Sequence, residues 1–414
     1  MKNQAKFFII VSAILTGLIA TGYAAGVISR GGSIGKESVS QAAEENVQLY
    51  SEANIKNPVA GNVSSKNLVD PSNLLTSEDT QQTADLSGAT EIRITDNKKV
   101  NITKAGVYVI RGNGKESTIT VNGSKSDNVR LILDGVNISN KDIPVIYVKS
   151  AKKVFLTTTG NSQNELQVTG DFAADETDKS DSVIISNPEL VLNGKGKLTV
   201  SSAKGNAVSS NESLKVTGGT YVVSSGKNGF EASNSVIISN GNFTVNSSKD
   251  AVHSENLDNN ASGYVYISGG TFNINAGDDG IQATTFAVID GGIFKINAAE
   301  GIEATHVQIN NGDIDIQASD DGINAAGKST AYNINLEVNG GKINVVMADG
   351  DTDAFDSNGN LAINGGNINI KANSAFDFDG TGQMNGGTVI VNGSQLSELT
   401  NQMMGGPGRR GGRR

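Results

Sequence analysis

Residues 348–360 read "ADGDTDAFDSNGN" and place Asp349, Asp351, Asp353 and Asp356 within eight positions, with no Lys or Arg among them. Carboxylates at this density must be well solvated, carry raised pKa values, or hold a hard cation. Ca²⁺ takes about six to eight oxygens from carboxylates, backbone carbonyls and water, whereas Mg²⁺ prefers fewer protein ligands and more water. The spacing of the first three acids opens like an EF-hand loop. Ala354 stands where that loop needs Gly, Asn360 stands where it needs its closing Glu, and no helical pattern flanks it. A calcium site formed between stacked segments fits these residues better.

Such stacking is written into the repeats. The short motifs "NAVSS" (206–210), "NGFEA" (228–232), "DAVHS" (250–254), "DGIQA" (279–283), "EGIEA" (300–304), "DGINA" (321–325), "DAFDS" (353–357) and "SAFDF" (374–378) start 22, 22, 29, 21, 21, 32 and 21 residues apart. Each is followed by a second apolar segment, a Gly-Gly or Asn-Gly turn and a third segment. Within the third segment apolar residues alternate, as in Phe243/Val245, Phe272/Ile274, Phe294/Ile296, Ile314/Ile316 and Ile343/Val345. Period two means strands with one buried face, and three short strands in one unit cannot bury that face alone. The spacing therefore predicts an all-β, right-handed parallel β-helix, a solenoid with three short strands per coil of about 21–22 residues. Successive coils would lie ~4.8 Å apart.

Stacking turns scattered acids into columns. One column holds Asp250, Asp279, Glu300, Asp321 and Asp353. A second, three residues later, holds Glu303, Asn324, Asp356 and Asp377. Like charges ~5 Å apart repel by about 1 kcal/mol per pair in water and several-fold more in a partly desolvated groove. Residues 278–380 contain sixteen Asp or Glu against four Lys and no Arg, within a chain of formal charge −10. That surface excludes nucleic acid as a partner and favours cations, or a polymer reached through cations. The expected metal ligands are Asp279, Glu300, Asp320, Asp321, Asp349, Asp351, Asp353, Asp356, Asp377 and Asp379. Asp250 and Asp290 are read as turn-shaping residues that cap their own backbone.

Two units are longer than the rest, with extra residues near 255–263 and 326–334 that leave the same corner. The expectation is a ligand-binding groove between two rims, with Gln282, Glu303 and His306 on its floor and Tyr264 and Tyr332 at its ends. Trp is absent, so no strong aromatic platform for a crystalline polysaccharide is expected. An acidic polysaccharide would need Ca²⁺ to bridge carboxylate to carboxylate.

The N-terminus, "MKNQAKFFIIVSAILTGLIATGYAAG", has two Lys before an apolar run and small residues after it, the pattern of a secretory signal. An uncleaved anchor would be the one contact with a membrane. The expected organisation is a signal or anchor (1–25), a flexible linker (26–90), irregular N-terminal coils (91–204), regular coils with the acidic columns (205–394) and a disordered basic tail (395–414). Absence of Cys excludes disulfides and thiol nucleophiles, and two His argue against a His-based zinc enzyme.

The run of "DGIQA", "EGIEA" and "DGINA" with its Gly-Gly turns, together with "LILDGVNIS" upstream and "DTDAFDSNGNLAINGG" downstream, resembles a family of secreted bacterial carbohydrate-binding domain proteins. The resemblance covers roughly residues 90–392. It implies a fold similar to polysaccharide lyases, and binding of calcium, cellulose and polygalacturonate at the cell surface. Carried over by motif, it implies Asp279, Glu300, Asp321, Asp353 and Asp356 as calcium ligands. Ser374 departs from the pattern, so a site at that coil would rest on Asp377 and Asp379. The expected role is therefore calcium-dependent binding of plant cell-wall polysaccharide, pectin or cellulose, without catalysis. The alternatives are a calcium-dependent pectate lyase, with Lys295, Lys328, Lys342 or Lys371 as base, and a structural surface adhesin or spacer. Glycoside hydrolysis by two carboxylates remains open, and a triad on His253 or His306 is remote.

Overall fold

The alternation of apolar and polar residues is realised as three long ladders of parallel strands. The structure is a computed structural model and describes residues 68–173, 181–256, 259–350 and 352–401. The signal or anchor, residues 26–67 of the expected linker, Asp351 and residues 402–414 of the expected tail lie outside the described residues.

The first ladder carries the short motifs and has twelve strands, from Lys99–Ile102 to Ser374–Phe378. The second contains, among others, Ser235–Ile238, Tyr264–Ile267, Phe286–Ile289, His306–Ile309, Asn335–Val338 and Asn360–Ile363. The third contains Asn242–Ser247, Thr271–Ala276, Ile293–Ala298, Asp313–Ala318, Lys342–Met347 and Asn367–Lys371. Each coil contributes one strand to each ladder, which makes the chain a parallel β-helix. At the N-terminal end two long strands, Gly106–Lys115 and Asn128–Asn140, bend through two ladders. The second of them pairs with Lys153–Thr158 by its first half and with Gln163–Val168 by its last four residues. This is why the repeat is loose there.

Register aligns like with like. Phe243, Phe272 and Phe294 stack with ring centroids 4.6 Å apart and nearly parallel planes, the spacing of the strands that carry them. Such pairs contribute about 0.5–1.5 kcal/mol each beyond area burial. Gly270 (φ 113°) and Gly292 (φ 118°) turn the corner before the third strand in a conformation other residues rarely adopt. The Gly of the short motif has a different task. A Cβ on Gly301 would lie 2.3 Å from the Gly322 carbonyl oxygen and 2.7 Å from Ile316, so it is small because the next coil is close.

At the corner between the second and third ladders runs a polar column. Asn310 Nδ2 donates to Asp290 (2.7 Å), Asn339 to Asn310 (2.7 Å), Asn364 to Asn339 (2.8 Å) and Asn385 to Asn364 (2.8 Å). Tyr266 donates its hydroxyl to the other oxygen of Asp290 at 2.7 Å. Asp290 is thus one rung of an amide column linking five coils.

Residues 68–82, within the expected linker, lie along the outer face of the second ladder. Leu68, Val69, Leu74 and Leu75 pack on Ile237, Tyr266, Phe286 and Val288. Asp79 is fully buried, 2.8 Å from Lys153 and 3.5 Å from Lys215, and Gln82 bonds Gly194 and Thr217. This strap explains why Ile237 and Val288, which point away from the solenoid interior, are apolar.

Candidate metal centre

The first ladder's outer face is built by a relay. Side chains at the first motif position accept the backbone N–H of the next coil: Asn206 from Asn228 (2.9 Å), Asn228 from Asp250 (3.2 Å) and Asp250 from Asp279 (3.1 Å). Asp321 accepts from Asp353 in the same way at 3.2 Å. Asp250 also contacts His253 Nδ1 through its second oxygen. Burial raises its carboxyl, but the bonds from His253 and the charge on that ring outweigh it and hold the carboxyl below its ordinary value.

The relay is interrupted at the coil after Asp279, because the Glu300 N–H turns to the Asp278 carbonyl (3.3 Å). There Asp279 and Glu300 are paired in register, and Glu303 follows Gln282 in the second column. Carboxylate oxygens of Asp279, Glu300 and Glu303 all lie within 4.8 Å of one another, as do those of Asp250, Asp278 and Asp279. Asp279 and Glu303 are buried. Burial first, then repulsion from Glu303, Glu300 and Asp250, pushes the Asp279 carboxyl well above its ordinary value. Burial, Glu303 and Asp321 do the same to Glu300.

One cation answers these charges. Lys328 Nζ stands 2.5 Å from Glu303 Oε2. Burial lowers the lysine's pKa, yet Glu303 and Asp279 outweigh that and hold it above its ordinary value. Three carboxyl groups against one ammonium leave an oxygen-only donor set that Lys328 alone does not neutralise when all three are ionised. Asn324 completes the rim: its Nδ2 donates to Glu300 (3.0 Å), and its buried Oδ1 has no hydrogen-bond partner among the described residues. The residues present fit a divalent hard cation.

The remaining expected ligands are distributed differently. Asp321, Asp353 and Asp356 are buried along the first ladder, Asp320 and Asp377 are half-buried, and Asp349 and Asp379 are exposed. Among the described residues, the 349–356 stretch contributes to no group of three converging carboxylates. The acids that converge lie two to four coils earlier. Asp250 and Asp278, absent from the expected ligands, belong to the second triad. The adjacent pair Asp278-Asp279 was the signal for it.

The expected open groove is not formed. The two insertions meet across the intervening coils, with Ser329 donating to the Asn260 carbonyl (2.6 Å) and Asn260 to Thr330 (3.1 Å). Thr305 accepts the N–H groups of Lys328 and Ser329, which seats the second loop. The five expected groove residues divide between two faces. Gln282 and Glu303 are on the first ladder. Tyr264, His306 and Tyr332 belong to the second-ladder side, where Tyr264 stacks on Phe286 at 4.7 Å and Tyr332 meets the same ring edge-on at 5.3 Å. His306, expected at the surface, is buried 3.4 Å from the buried Glu337.

A family model described as carbohydrate-binding domain-containing protein matches residues 96–354. A relative of that description from Acetivibrio thermocellus is 34% identical over 130 residues, 31% of this chain and 46% of the relative, so the match spans under half of that protein's length. A solved structure of the polysaccharide lyase-like protein from C. thermocellum, a gadolinium derivative, aligns at 23% identity over 74% of this chain and 94% of that one, with a TM-score of 0.35.

Proposed function

The chain belongs to the carbohydrate-binding domain family, and from that premise we propose that it is an exported, calcium-dependent binder of plant cell-wall polysaccharide, pectin or cellulose. The observation that carries the calcium part is the triad of Asp279, Glu300 and Glu303, whose charge Lys328 answers only in part. Ca²⁺ bound there would neutralise the remaining charge and tie two adjacent coils to the loop that carries Lys328. Asp278, Asp320 and Asp349 are less buried, along the corner that leads into the first ladder, and would meet a uronate chain only across further cations. Lys328, a formal candidate for a lyase base, is held as an ammonium against Glu303, which favours binding over proton abstraction.

The test is migration of the full chain through native gels containing polygalacturonate or a soluble cellulose derivative, in calcium and in chelator. Ultraviolet absorbance of unsaturated uronides is followed in the same mixtures. Calcium-dependent retardation without new absorbance supports the reading. Equal mobility in every gel refutes it, and rising absorbance replaces it with a lyase.

A further inference from the structure

The corner between the third ladder and the next first-ladder strand holds a cleft of about 410 Å³. Its floor is formed by Ala298, Ala318 and Met347, and its wall by Asn297, Gln317 and Val346. The volume falls in the range of small-molecule sites, about 300–1,000 Å³.

Two features meet at this place on the third face. Several outward polar rungs of this face bond one another: Asn275 donates to Asn246 at 3.0 Å, Asn344 to Asp315 at 2.5 Å, and Lys342 to Asp313 at 3.0 Å. Asn297 and Gln317 continue the Asn246–Asn275 column in register, yet among the described residues their side-chain amides make no hydrogen bond. The next rung is Val346, one of three large apolar side chains left exposed among the described residues, at 40%. Two free amides beside an apolar wall and floor thus face the same cleft.

We propose that this cleft is a subsite for one neutral pyranose unit of a polysaccharide chain; the proposal rests on the carbohydrate-binding reading and adds to it where, and which sugar. The apolar floor and Val346 match the C–H face of a sugar ring, and each amide offers a donor and an acceptor to vicinal hydroxyls. Charge selects the sugar. The turns that close the cleft at Gly277, Ser319 and Ala348 lead directly into Asp278, Asp320 and Asp349, and no Lys or Arg lines it. Carboxylates accept hydrogen bonds from hydroxyls and repel a uronate.

Calorimetric titration of the full chain with cellohexaose and with hexagalacturonate, both in calcium-containing buffer, tests this. Wild type is expected to prefer the neutral oligomer. The double substitution Asn297→Ala with Gln317→Ala, and separately Ser319→Trp to fill the cleft, is expected to weaken that binding by about tenfold or more. These exposed positions should leave the melting temperature in place. Preference for the uronide, or equal binding of cellohexaose by wild type and both variants, overturns the subsite. So does no cellohexaose binding by a wild-type protein that polysaccharide gels still retain, and in that case the carbohydrate-binding reading survives. Wild type that binds neither oligomer and passes every gel unretarded ends both.

Discussion

Lys328 Nζ, carried on the second of the two inserted loops, stands 2.5 Å from Glu303 Oε2 on a strand one coil away. Loop and acid are thereby one unit, with the insertion bringing a cation to a face that is otherwise short of positive charge. The same loop is pinned to the other insertion through Ser329 and Asn260. What the two long repeats build is a cover, with the acid triad beneath its edge.

Removing that cation should therefore be felt as stability. Lys328→Met leaves Glu303 buried and unanswered, and breaking such a pair costs about 3–5 kcal/mol. The variant is expected to lose about that much in chemical denaturation in chelator, and to recover part of it in calcium. A denaturation midpoint unchanged in chelator would contradict the pairing.

The strap makes a prediction about acid. Burial raises the Asp79 carboxyl, but the hydrogen bond from Lys153, the Thr76 N–H and the charge of Lys215 outweigh it and hold it below its ordinary value of 3.8. A depressed carboxylate contributes stability that is present above its unfolded pKa and is lost as pH falls through the folded value. Wild type should lose that increment below about pH 4, whereas Asp79→Asn, weaker by about 3 kcal/mol at neutral pH, should show a flatter profile. Parallel pH profiles of the two proteins would show that Asp79 does not clamp the strap.

Close stacking at the short motif is testable at one atom. Gly301→Ala puts a methyl 2.3 Å from the Gly322 carbonyl oxygen, so the coils must part. Overpacking of this kind costs about 1–3 kcal/mol. Thermal melts should show the loss, whereas Gly88→Ala, with open space around it but a φ of 76°, should show only the smaller strain of its backbone. Equal, small effects at both would mean that spacing at Gly301 is slack.

Much of the fold was legible in the repeats because a solenoid imposes the same demand on every coil. Phe243, Phe272 and Phe294 recur at one position since each must stack on the last, and alternation fixes which face they occupy. The strap was hidden because residues 68–82 carry no period. Its trace was indirect: Ile237 and Val288 are apolar at positions that alternation assigns to the outside. The acid columns were legible as columns, and Glu303, Asn324, Asp356 and Asp377 do align. Which acids converge was not, because that depends on where the backbone relay from Asp250 is interrupted. The groove failed for a related reason, since two insertions long enough to form rims are also long enough to meet.

The most direct test of the triad is calorimetric titration of calcium into the full chain, wild type and Glu300→Gln, at neutral pH. The account predicts a calcium site in wild type that Glu300→Gln weakens by about tenfold or more, roughly the value of one charged ligand. Wild type that takes up no calcium, or a variant that binds as wild type does, would contradict a cation at Asp279, Glu300 and Glu303.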